Sequence, residues 1–401
     1  MKRERPLEVR VAPHGVRRLE AGHPWVFRDD VAAPAAIGHG ELVRVLSARG
    51  APLGYAFYSR ASKIALRVVR RDDVPPDRDF WSSRLDGALV HRKRFASGCT
   101  ALRLIFGESD GFPGLVADLY GSHLVVQALT PGAERLLDTV LDLLEARMSL
   151  ESVLARNDPS VRELEGLPRE VRQIRGTTPP EIEVQEGPVR YVVDCFRGQK
   201  TGAYLDQREN RLAVAAHSGG RTLDVFCYHG LFALHAAMRG GEVEVIDVSH
   251  DAIARAQANA QRNGLAGLNF AVGNAFDELR DRDRRGEKYD LIVLDPPAFA
   301  KSRADVPEAR RGYKEINLRA MRLLRPGGIL ATSSCSYHMS ETDLVALLAG
   351  AAADVGRSFR VVERREQSKD HAAPARLRRP NVHARAHAPP PEWAAPRRAR
   401  Q

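Results

Sequence analysis

The chain has 401 residues, of which 43% are hydrophobic, and this length predicts two to three domains rather than a single core. Its apolar runs fall short of the roughly 20 residues that a membrane helix needs, and the charged start over 1–5 precedes no signal-like segment. We therefore expect a cytoplasmic protein. Its four scattered cysteines have no zinc-site spacing, which argues against both a disulfide framework and a metal site.

The net charge of +10 is typical of proteins with a polyanionic partner such as nucleic acid. Residues 371–401 contain seven arginines and one glutamate, so they contribute +6 of this charge. Their Pro-, Ala- and Arg-rich sequence without a sustained period predicts a disordered tail. A solvated tail would give the same total charge, so charge alone does not identify the partner.

The front of the chain is expected to form a small β-barrel over 1–74, because short strand-like segments alternate with Gly- and Pro-containing turns. Strands are predicted at 7–11, 41–46, 52–57 and 64–70. Pro75 and Pro76 then indicate a linker, since consecutive prolines resist both helix and strand pairing.

A middle α+β domain is predicted over 78–190, with helices where the apolar period is helical and strands where apolar runs are short. After Thr222 the pattern becomes strand then helix, repeated, as a parallel doubly wound sheet requires. The predicted fold class is therefore α/β, with a Rossmann-like domain over 191–370 that follows the barrel and the middle domain in the sequence.

The first strand of this domain runs into a turn at Tyr228-His229-Gly230, where the backbone can approach a ligand. The next strand ends about 20 residues later at Asp247, whose carboxylate could accept the ribose hydroxyls of a nucleoside. A helix cap is the ordinary alternative for this aspartate. After the third strand, Asn274 and Phe276 could flank an adenine. The residues predicted to bind a cofactor here are Phe226, Tyr228, Gly230, Asp247, Asn274 and Phe276.

A segment just before the sheet, residues 198–208, combines glycines with charged side chains and could cover the cofactor. A linker followed by a solvated helix start is the alternative. The candidate cofactor contacts in this segment are Gln199, Lys200, Thr201, Asp206 and Arg208. Upstream, Arg156 follows a strand in a polar stretch and is a candidate substrate contact.

The sharpest local signal is Asp295, which follows a fully apolar strand and precedes two prolines. A charged group at the end of a buried strand is either functional or a loop cap, and its companions favour function. Pro296, Pro297 and Phe299 are therefore predicted to line the substrate side of the corner.

Cys335 ends a later strand among serines, at the edge where ligands bind such sheets. A lone cysteine in a strand usually packs in the core, but this position favours a nucleophile. One reaction that needs such a thiol is methylation of cytosine at C5, and we interpret the site as that of a methyltransferase acting on a base. Cytosine C5 is a poor nucleophile, and addition of a thiolate at C6 would activate it toward the methyl group of S-adenosylmethionine (SAM). Asp295 would then hydrogen-bond N3 or the exocyclic amine of the base.

These motifs together resemble the bacterial 23S rRNA (cytosine-5)-methyltransferases of the large-subunit methyltransferase I type. The similarity spans about 1–370 and includes Gly198-Gln199-Lys200-Thr201-Gly202, Leu205-Asp206-Gln207-Arg208, Asp295-Pro296-Pro297-Ala298-Phe299 and Ser334-Cys335-Ser336. The resemblance implies a PUA-like RNA-binding front and SAM as the cofactor. It also implies Asp224, Asp247 and Asn274 as cofactor contacts and Cys335 as the nucleophile.

The chain departs from the family pattern at four places. Leu231 stands where a second glycine is usual, Asn274 replaces an aspartate, and the corner at Asp295 lacks the second cysteine that other cytosine-5 RNA methyltransferases carry. After His371 the family has a final strand, which this sequence does not resemble. If that strand is absent, the sheet has an open edge, and we expect lower stability or an oligomer that covers it.

RNA, most simply 23S rRNA, is the expected partner, and a homodimer is possible. Phosphate contacts could come from His14, Arg17, Arg18, Lys63 and Arg67, while Trp25 and Phe27 could stack on a base or belong to the core. Two other functions remain open. One is methylation of an exocyclic amine of an RNA base, and the other is a non-catalytic RNA-binding or assembly protein.

Overall fold

The computed structural model describes residues 7–34, 36–300, 302–336, 338–371 and the backbone of 382–387. The chain divides into two compact units. Of the described residues, the first unit holds 7–185, 192–205 and 369–371, and the second holds 186–191, 206–368 and 382–387. The segments predicted as barrel and middle domain fall mostly in the first unit, and the main part of the second unit begins at 206. The predicted domain boundaries stay predictions.

The first part of the first unit is a mixed six-stranded sheet with the order β2-β6-β5-β4-β1-β3. Its elements are β1 (Glu8–Val11), α1 (Pro13–Glu20), β2 (Trp25–Phe27), β3 (Val31–Ala32), β4 (Leu42–Ser47), β5 (Pro52–Tyr58) and β6 (Ile64–Arg70). Alternate residues of the strands face a common interior, so Val9, Val11 and Val26 are at most 1% exposed. The predicted strands are present.

The second part of this unit is a five-stranded sheet with the order β11-β10-β9-β8-β7. Its elements are α2 (Arg78–Lys93), β7 (Ala101–Phe106), β8 (Leu115–Tyr120), β9 (His123–Ala128), α3 (Pro131–Glu145), β10 (Ser152–Asn157), α4 (Val161–Leu164) and β11 (Glu170–Gly176). Asp77 starts α2 by accepting a hydrogen bond from the backbone N–H of Phe80, directly after the two prolines. The strands β12 (Ile182–Glu186) and β13 (Val189–Val193) follow as a hairpin.

The second unit is built on a seven-stranded sheet with the order β16-β15-β14-β17-β18-β20-β19. Its strands are β14 (Thr222–Val225), β15 (Val243–Asp247), β16 (Leu268–Val272), β17 (Tyr289–Leu294), β18 (Leu324–Ser334), β19 (Arg360–Arg365) and β20 (Val382–His387). Its helices are α5 (Arg208–Ala215), α6 (Leu231–Ala237), α7 (His250–Arg262), α8 (Ala275–Arg284), α9 (Val306–Leu323) and α10 (Glu341–Val355). The strands β14 to β18 are parallel, as predicted.

The strand order reverses between β14 and β17, which is where doubly wound sheets bind ligands. The register aligns the carboxyl ends of the parallel strands, since Val225 pairs with Leu294 and Leu294 pairs with Thr332. The turn after β14, the residue Asp295 and the end of β18 therefore lie along one edge of the sheet. The main core of this unit packs β14, β17 and β18 against α8, α9 and α10.

The condition for an open edge beside β18 is not met, because β20 pairs antiparallel with β18 from Ile329 to Ser334 and also with β19. The strand falls within the segment predicted as a disordered tail. Its sequence alternates Val382, Ala384 and Ala386 with His and Arg, a period of two that the high Arg and Pro content of the segment obscured. His371, the first residue of that segment, is 2% exposed. Residues 372–381 and 388–401 of the predicted tail lie outside the described residues.

None of the helices within the described ranges is both long and apolar enough to cross a bilayer.

Candidate active site

The turn after β14 has a backbone that ordinary residues rarely adopt. Phe226 and Tyr228 have φ angles of +67° and +50°, and Gly230 has a φ angle of +76°. Left-handed backbone costs a non-glycine residue about 1–2 kcal/mol, so the surrounding structure imposes this shape. A Cβ atom on Gly230 would lie 2.8 Å from the Cβ of Ala256 in α7. This position therefore needs glycine for space as well as for conformation.

The carboxylate of Asp247 lies beside this turn at the end of β15. Its Oδ2 accepts the N–H of Tyr228 at 2.9 Å, and its Oδ1 accepts the N–H of Ser249 at 2.9 Å. Each carboxylate oxygen has a further lone pair and can accept another hydrogen bond. Since Ser249 itself caps α7, the aspartate is not required as the cap. The geometry thus favours the predicted role of Asp247 in accepting ribose hydroxyls.

A cleft of about 360 Å³ opens next to Asp247. It is lined by Phe226, Ile246, Asp247, Val248, Gly273, Asn274, Ala275 and Phe276. The Oδ1 of Asn274 accepts the N–H of Phe276 at 2.9 Å and caps α8. Its side-chain oxygen is therefore engaged at the helix start, and its amide nitrogen is the group that could donate a hydrogen bond. The four predicted side chains Phe226, Asp247, Asn274 and Phe276 are brought together in this cleft.

Asp224 provides a test of whether this edge suits a cationic nucleoside. Its side chain is 1% exposed, and its Oδ2 accepts the N–H of Ala233 at 3.0 Å. Its Oδ1 has no hydrogen-bond partner among the described residues. Burial, with the nearby charges of Asp295 and Asp247, raises the pKa of Asp224 to about 8. A cationic ligand would stabilise the ionised carboxylate that burial disfavours, so the site fits SAM, which carries a sulfonium and an ammonium group.

Asp295 follows β17 and lies half-buried at the corner formed by Pro296 and Pro297. The Nε2 of Gln207 donates to both carboxylate oxygens, at 3.0 and 3.1 Å. The hydroxyl of Ser333 on β18 donates to Oδ1 of the same carboxylate. Neutral donors on both sides therefore fix the carboxylate, as the predicted functional role requires.

Gln207 was quoted within a motif of the sequence but was not assigned a site role, although its neighbours Asp206 and Arg208 were. Its Oε1 accepts a hydrogen bond from Nδ2 of Asn210 at 2.8 Å. The Oδ1 of Asn210 in turn accepts from Nε of Arg365 at 2.9 Å. Because these hydrogen bonds engage the Oε1 of Gln207, its Nε2 is the atom that faces Asp295, and the side-chain amide of Gln207 has one orientation.

Cys335 lies directly after β18 and is exposed. Its Sγ is 3.7 Å from the carbonyl oxygen of Pro296, so the thiol adjoins the corner at Asp295. The other cysteines differ. Burial raises the pKa of Cys195 to about 12 and also raises the pKa of Cys227, which makes both poor nucleophiles. These two thiols pack in the interior.

Phe299 forms an aromatic cluster between the cofactor cleft and the end of β18. Its ring centroid lies 4.6 Å from that of Tyr313, 6.1 Å from Phe276 and 6.4 Å from Phe226. The predicted substrate side of the corner is therefore continuous with the wall of the cleft. Tyr313, on α9, was not identified from the sequence.

Four predicted site residues belong to the first unit. Thr201 is completely buried, and its hydroxyl bonds Asp118 at 2.6 Å and Tyr120 at 2.8 Å. Arg156 is 4% exposed and donates to the carbonyl oxygens of Cys195 and Gly198. These contacts favour positioning roles for both residues over direct ligand contacts. For Gln199 and Lys200, cofactor binding stays a prediction.

Asp206 and Arg208 belong to the second unit, on either side of Gln207. The main-chain carbonyl of Asp206 accepts hydrogen bonds from the N–H and the hydroxyl of Ser368, at 2.7 and 2.8 Å. Arg208 is 2% exposed. For both residues, cofactor binding stays a prediction.

The basic residues of the barrel are not equally accessible. Arg67 is 7% exposed and pairs with Glu108 and Glu165, so it is unsuited to the predicted phosphate contact. Trp25 donates its indole N–H to the same Glu108 at 2.8 Å. Arg17 and Lys63 are exposed and stay candidates for phosphate contacts.

Within the ranges that the structure describes, no group of three or more His, Cys, Asp or Glu residues could hold a metal ion.

Comparison with known proteins gives two family matches. Residues 9–71 match the PUA-like domain, and residues 216–371 match a methyltransferase domain. A putative SAM-dependent methyltransferase from Streptococcus mutans has the same fold, with a TM-score of 0.78 and 20% identity over 95% of this chain and all of that one. Fold, site and family matches together define the class as a SAM-dependent methyltransferase with a PUA-like domain, and SAM is its cofactor, as predicted.

Sequence relatives specify the family. The ribosomal RNA large subunit methyltransferase I of Aeromonas hydrophila is 40% identical over 360 residues, covering 87% of this chain and 90% of the relative. That of Vibrio cholerae is 38% identical over 366 residues, covering 88% and 92%. The chain therefore belongs to the ribosomal RNA large subunit methyltransferase I family.

Proposed function

We propose that the protein transfers a methyl group from SAM to C5 of a cytosine in large-subunit ribosomal RNA, with Cys335 as the covalent nucleophile. The RNA class follows the name of the relatives, and the PUA-like domain suits an RNA substrate. The observation that carries the chemistry is the exposed Cys335 thiol 3.7 Å from the Pro296 carbonyl, beside the fixed carboxylate of Asp295.

The register supports placing both groups on one side of the sheet. Val293 on β17 pairs with Ala331 on β18. Side chains two residues apart along a strand point to the same face, so Asp295 and Ser333 lie on the face of Val293 and Ala331. The hydrogen bond between Ser333 and Asp295 agrees with this alternation. Cys335 is two residues beyond Ser333, so its side chain is directed to the same side.

The proposed reaction begins when the Cys335 thiolate adds to C6 of the base, which forms a carbon–sulfur bond and moves electron density to C5. Asp295 accepts a hydrogen bond from the exocyclic amine, or from N3 once that atom is protonated, and so stabilises the adduct. SAM would supply the methyl group: C5 attacks the methyl carbon, the bond between that carbon and the sulfonium breaks, and S-adenosylhomocysteine is the leaving group. A base then removes the C5 proton, the carbon–sulfur bond breaks, and the thiolate returns to Cys335.

The test compares Cys335→Ala with Cys99→Ala, which alters a half-buried thiol of the first unit. The substrate is large-subunit rRNA from a strain that lacks the gene, and the product is identified by nucleoside mass spectrometry. We expect Cys335→Ala to lower methyl transfer by about 10³-fold or more while SAM binding persists, because only the nucleophile is lost. Cys99→Ala should retain activity.

The alternatives give different products. Full activity of Cys335→Ala, with the methyl group on the exocyclic amine, would contradict covalent chemistry at C5. RNA that carries 5-fluorocytidine should form a stable adduct with the wild type and none with Cys335→Ala, since fluorine blocks loss of the C5 substituent. Absence of SAM binding at millimolar concentration would favour a non-catalytic RNA-binding protein.

A further inference from the structure

The hydroxyl of Tyr313 contacts both serines that flank Cys335. The hydroxyl of Ser334 donates to Tyr313 Oη at 3.1 Å, and Tyr313 Oη lies 3.0 Å from Ser336 Oγ. The N–H of Ser336 donates to Ser334 Oγ at 3.3 Å and closes the ring of contacts. The side chains on both sides of Cys335 are thus bridged by one phenol group.

The same tyrosine connects this loop to the corner at Asp295. Its ring packs 4.6 Å, centroid to centroid, from Phe299. Ser336 Oγ also accepts the N–H of Ala300 at 3.4 Å. The two loops that carry the carboxylate and the thiol are therefore joined through Tyr313 and Ser336.

Successive side chains from Ser334 to Ser336 point to opposite sides of the chain, which determines the direction of the Cys335 thiol. Ser334 and Ser336 face α9, which carries Tyr313, so Cys335 between them faces the opposite side, where Ser333 meets Asp295. Tyr313, Ser334 and Ser336 are 0%, 3% and 1% exposed. Because water does not reach them, a lost hydrogen bond here would leave buried hydroxyls without partners.

We propose that Tyr313 is a positioning residue for the nucleophile: its hydroxyl bridges Ser334 and Ser336 and thereby directs the Cys335 thiol toward the target base. The inference rests on the proposed function of Cys335. Burial raises the pKa of Tyr313, so the phenol keeps the proton that it donates. The residue touches neither substrate nor cofactor in this account and acts only through the loop.

The test uses Tyr313→Phe, which removes one oxygen and keeps the ring against Phe299. Tyr289→Phe is the matched control, because Tyr289 is also completely buried and its hydroxyl donates to Glu244 and Glu287 at the other end of the sheet. The measurements are single-turnover methylation, KM for rRNA, Kd for SAM, and the rate of Cys335 alkylation by iodoacetamide across pH, followed by peptide mass spectrometry.

We expect Tyr313→Phe to lower the single-turnover rate by about 10- to 100-fold, since a misplacement of about 1 Å has effects of this size. KM and Kd should change by less than about 3-fold, and the pH profile of alkylation should shift. Tyr289→Phe should lower the melting temperature but leave these rates and the profile unchanged. Adding Tyr313→Phe to Ser334→Ala with Ser336→Ala should have little further effect, because the bridge is already absent.

An alkylation profile of Tyr313→Phe that matches the wild type at every pH would overturn the inference, as would full additivity with the serine substitutions. Failure of the proposed function would look different. Cytosine-5 methylation by Cys335→Ala would refute the covalent mechanism, whereas the alkylation profile reports the position of the thiol independently of that result.

Discussion

The predicted cofactor residues on or directly after β14, β15 and β16 are held by neighbouring main-chain N–H groups. The predicted catalytic residues that follow β17 and β18 are held by side chains instead. Asp224, Asp247 and Asn274 each accept an N–H from a residue near the start of a helix or turn. Asp295 accepts from Gln207 and Ser333, and the loop of Cys335 is held by Tyr313.

This difference separates two kinds of requirement. A cofactor of constant shape can be bound by a rigid turn, and the strained backbone at Phe226 and Tyr228 is such a turn. Covalent chemistry requires a thiol and a carboxylate in fixed mutual orientation, which side-chain networks from several elements can set precisely. Substitutions among the cofactor residues and substitutions among the catalytic residues should therefore change different properties of the protein.

The largest contrast is expected between Asp295→Asn and Asp247→Asn. Asp295→Asn should lower the single-turnover rate by about 10²-fold and leave the Kd for SAM within about 3-fold, because the carboxylate acts on the base. Asp247→Asn should weaken SAM binding by about 10-fold or more through a lost charge-assisted hydrogen bond, and preserve most of the rate at saturating SAM. Calorimetry and quenched-flow assays measure the two effects. If both variants changed the same parameter, the division between cofactor residues and catalytic residues would not hold.

A smaller effect is expected from Gly230→Ala, which tests the rigidity of the cofactor turn. The matched control is Gly264→Ala, because Gly264 also has a positive φ angle, +64°, but a Cβ there would meet no atom within 4 Å. Gly264→Ala should cost about 1 kcal/mol of unfolding free energy from backbone strain alone. Gly230→Ala should cost about 2 kcal/mol more, since its Cβ also clashes with Ala256. Equal losses in denaturant titrations would mean that α7 does not constrain the turn.

A pH-dependent stabilisation is expected from Asp224→Asn. The pKa of Asp224 is about 8 in the folded protein and near 4 in an unfolded chain, so the folded state binds a proton that the unfolded state has released. Stability contributed by this group is therefore complete below pH 4 and is lost as pH rises through 8. Asparagine does not titrate and removes this loss.

We expect the cofactor-free Asp224→Asn variant to melt about 5 °C above the wild type at pH 9, with a much smaller difference at pH 5. Its affinity for SAM should fall, because the carboxylate that favours a cation is gone. Thermal scans at several pH values measure the difference. Parallel curves for the two proteins would contradict the raised pKa.

The sequence allowed prediction of the parallel sheet and of the groups at its edge because their signals are local. An apolar run followed by a polar residue identifies Asp247 and Asp295 without knowledge of distant contacts. The residues that support the catalytic groups were not assigned a site role for the opposite reason. Tyr313 lies in an amphipathic helix where an aromatic residue reads as core, and Gln207 differs from its charged neighbours only by what it meets in the folded chain.

Exposure was the second property that the sequence did not provide. Arg67, Arg156 and Thr201 are polar residues in promising positions, but all three are buried and bonded within the first unit. The residue type alone does not reveal whether a charged or hydroxyl side chain contacts a ligand or the protein's own groups. The strand β20 was missed because composition outweighed a weak alternation of small and polar residues.

The placement of β20 has a consequence for biosynthesis. Ribosomes make the chain from its amino end, so β18, which leads to Cys335, is formed well before residues 382–387 emerge from the exit tunnel. Until then, the nascent protein presents unsatisfied amide and carbonyl groups along β18 and is prone to intermolecular aggregation. Premature termination before residue 382 would leave every copy permanently in that vulnerable state.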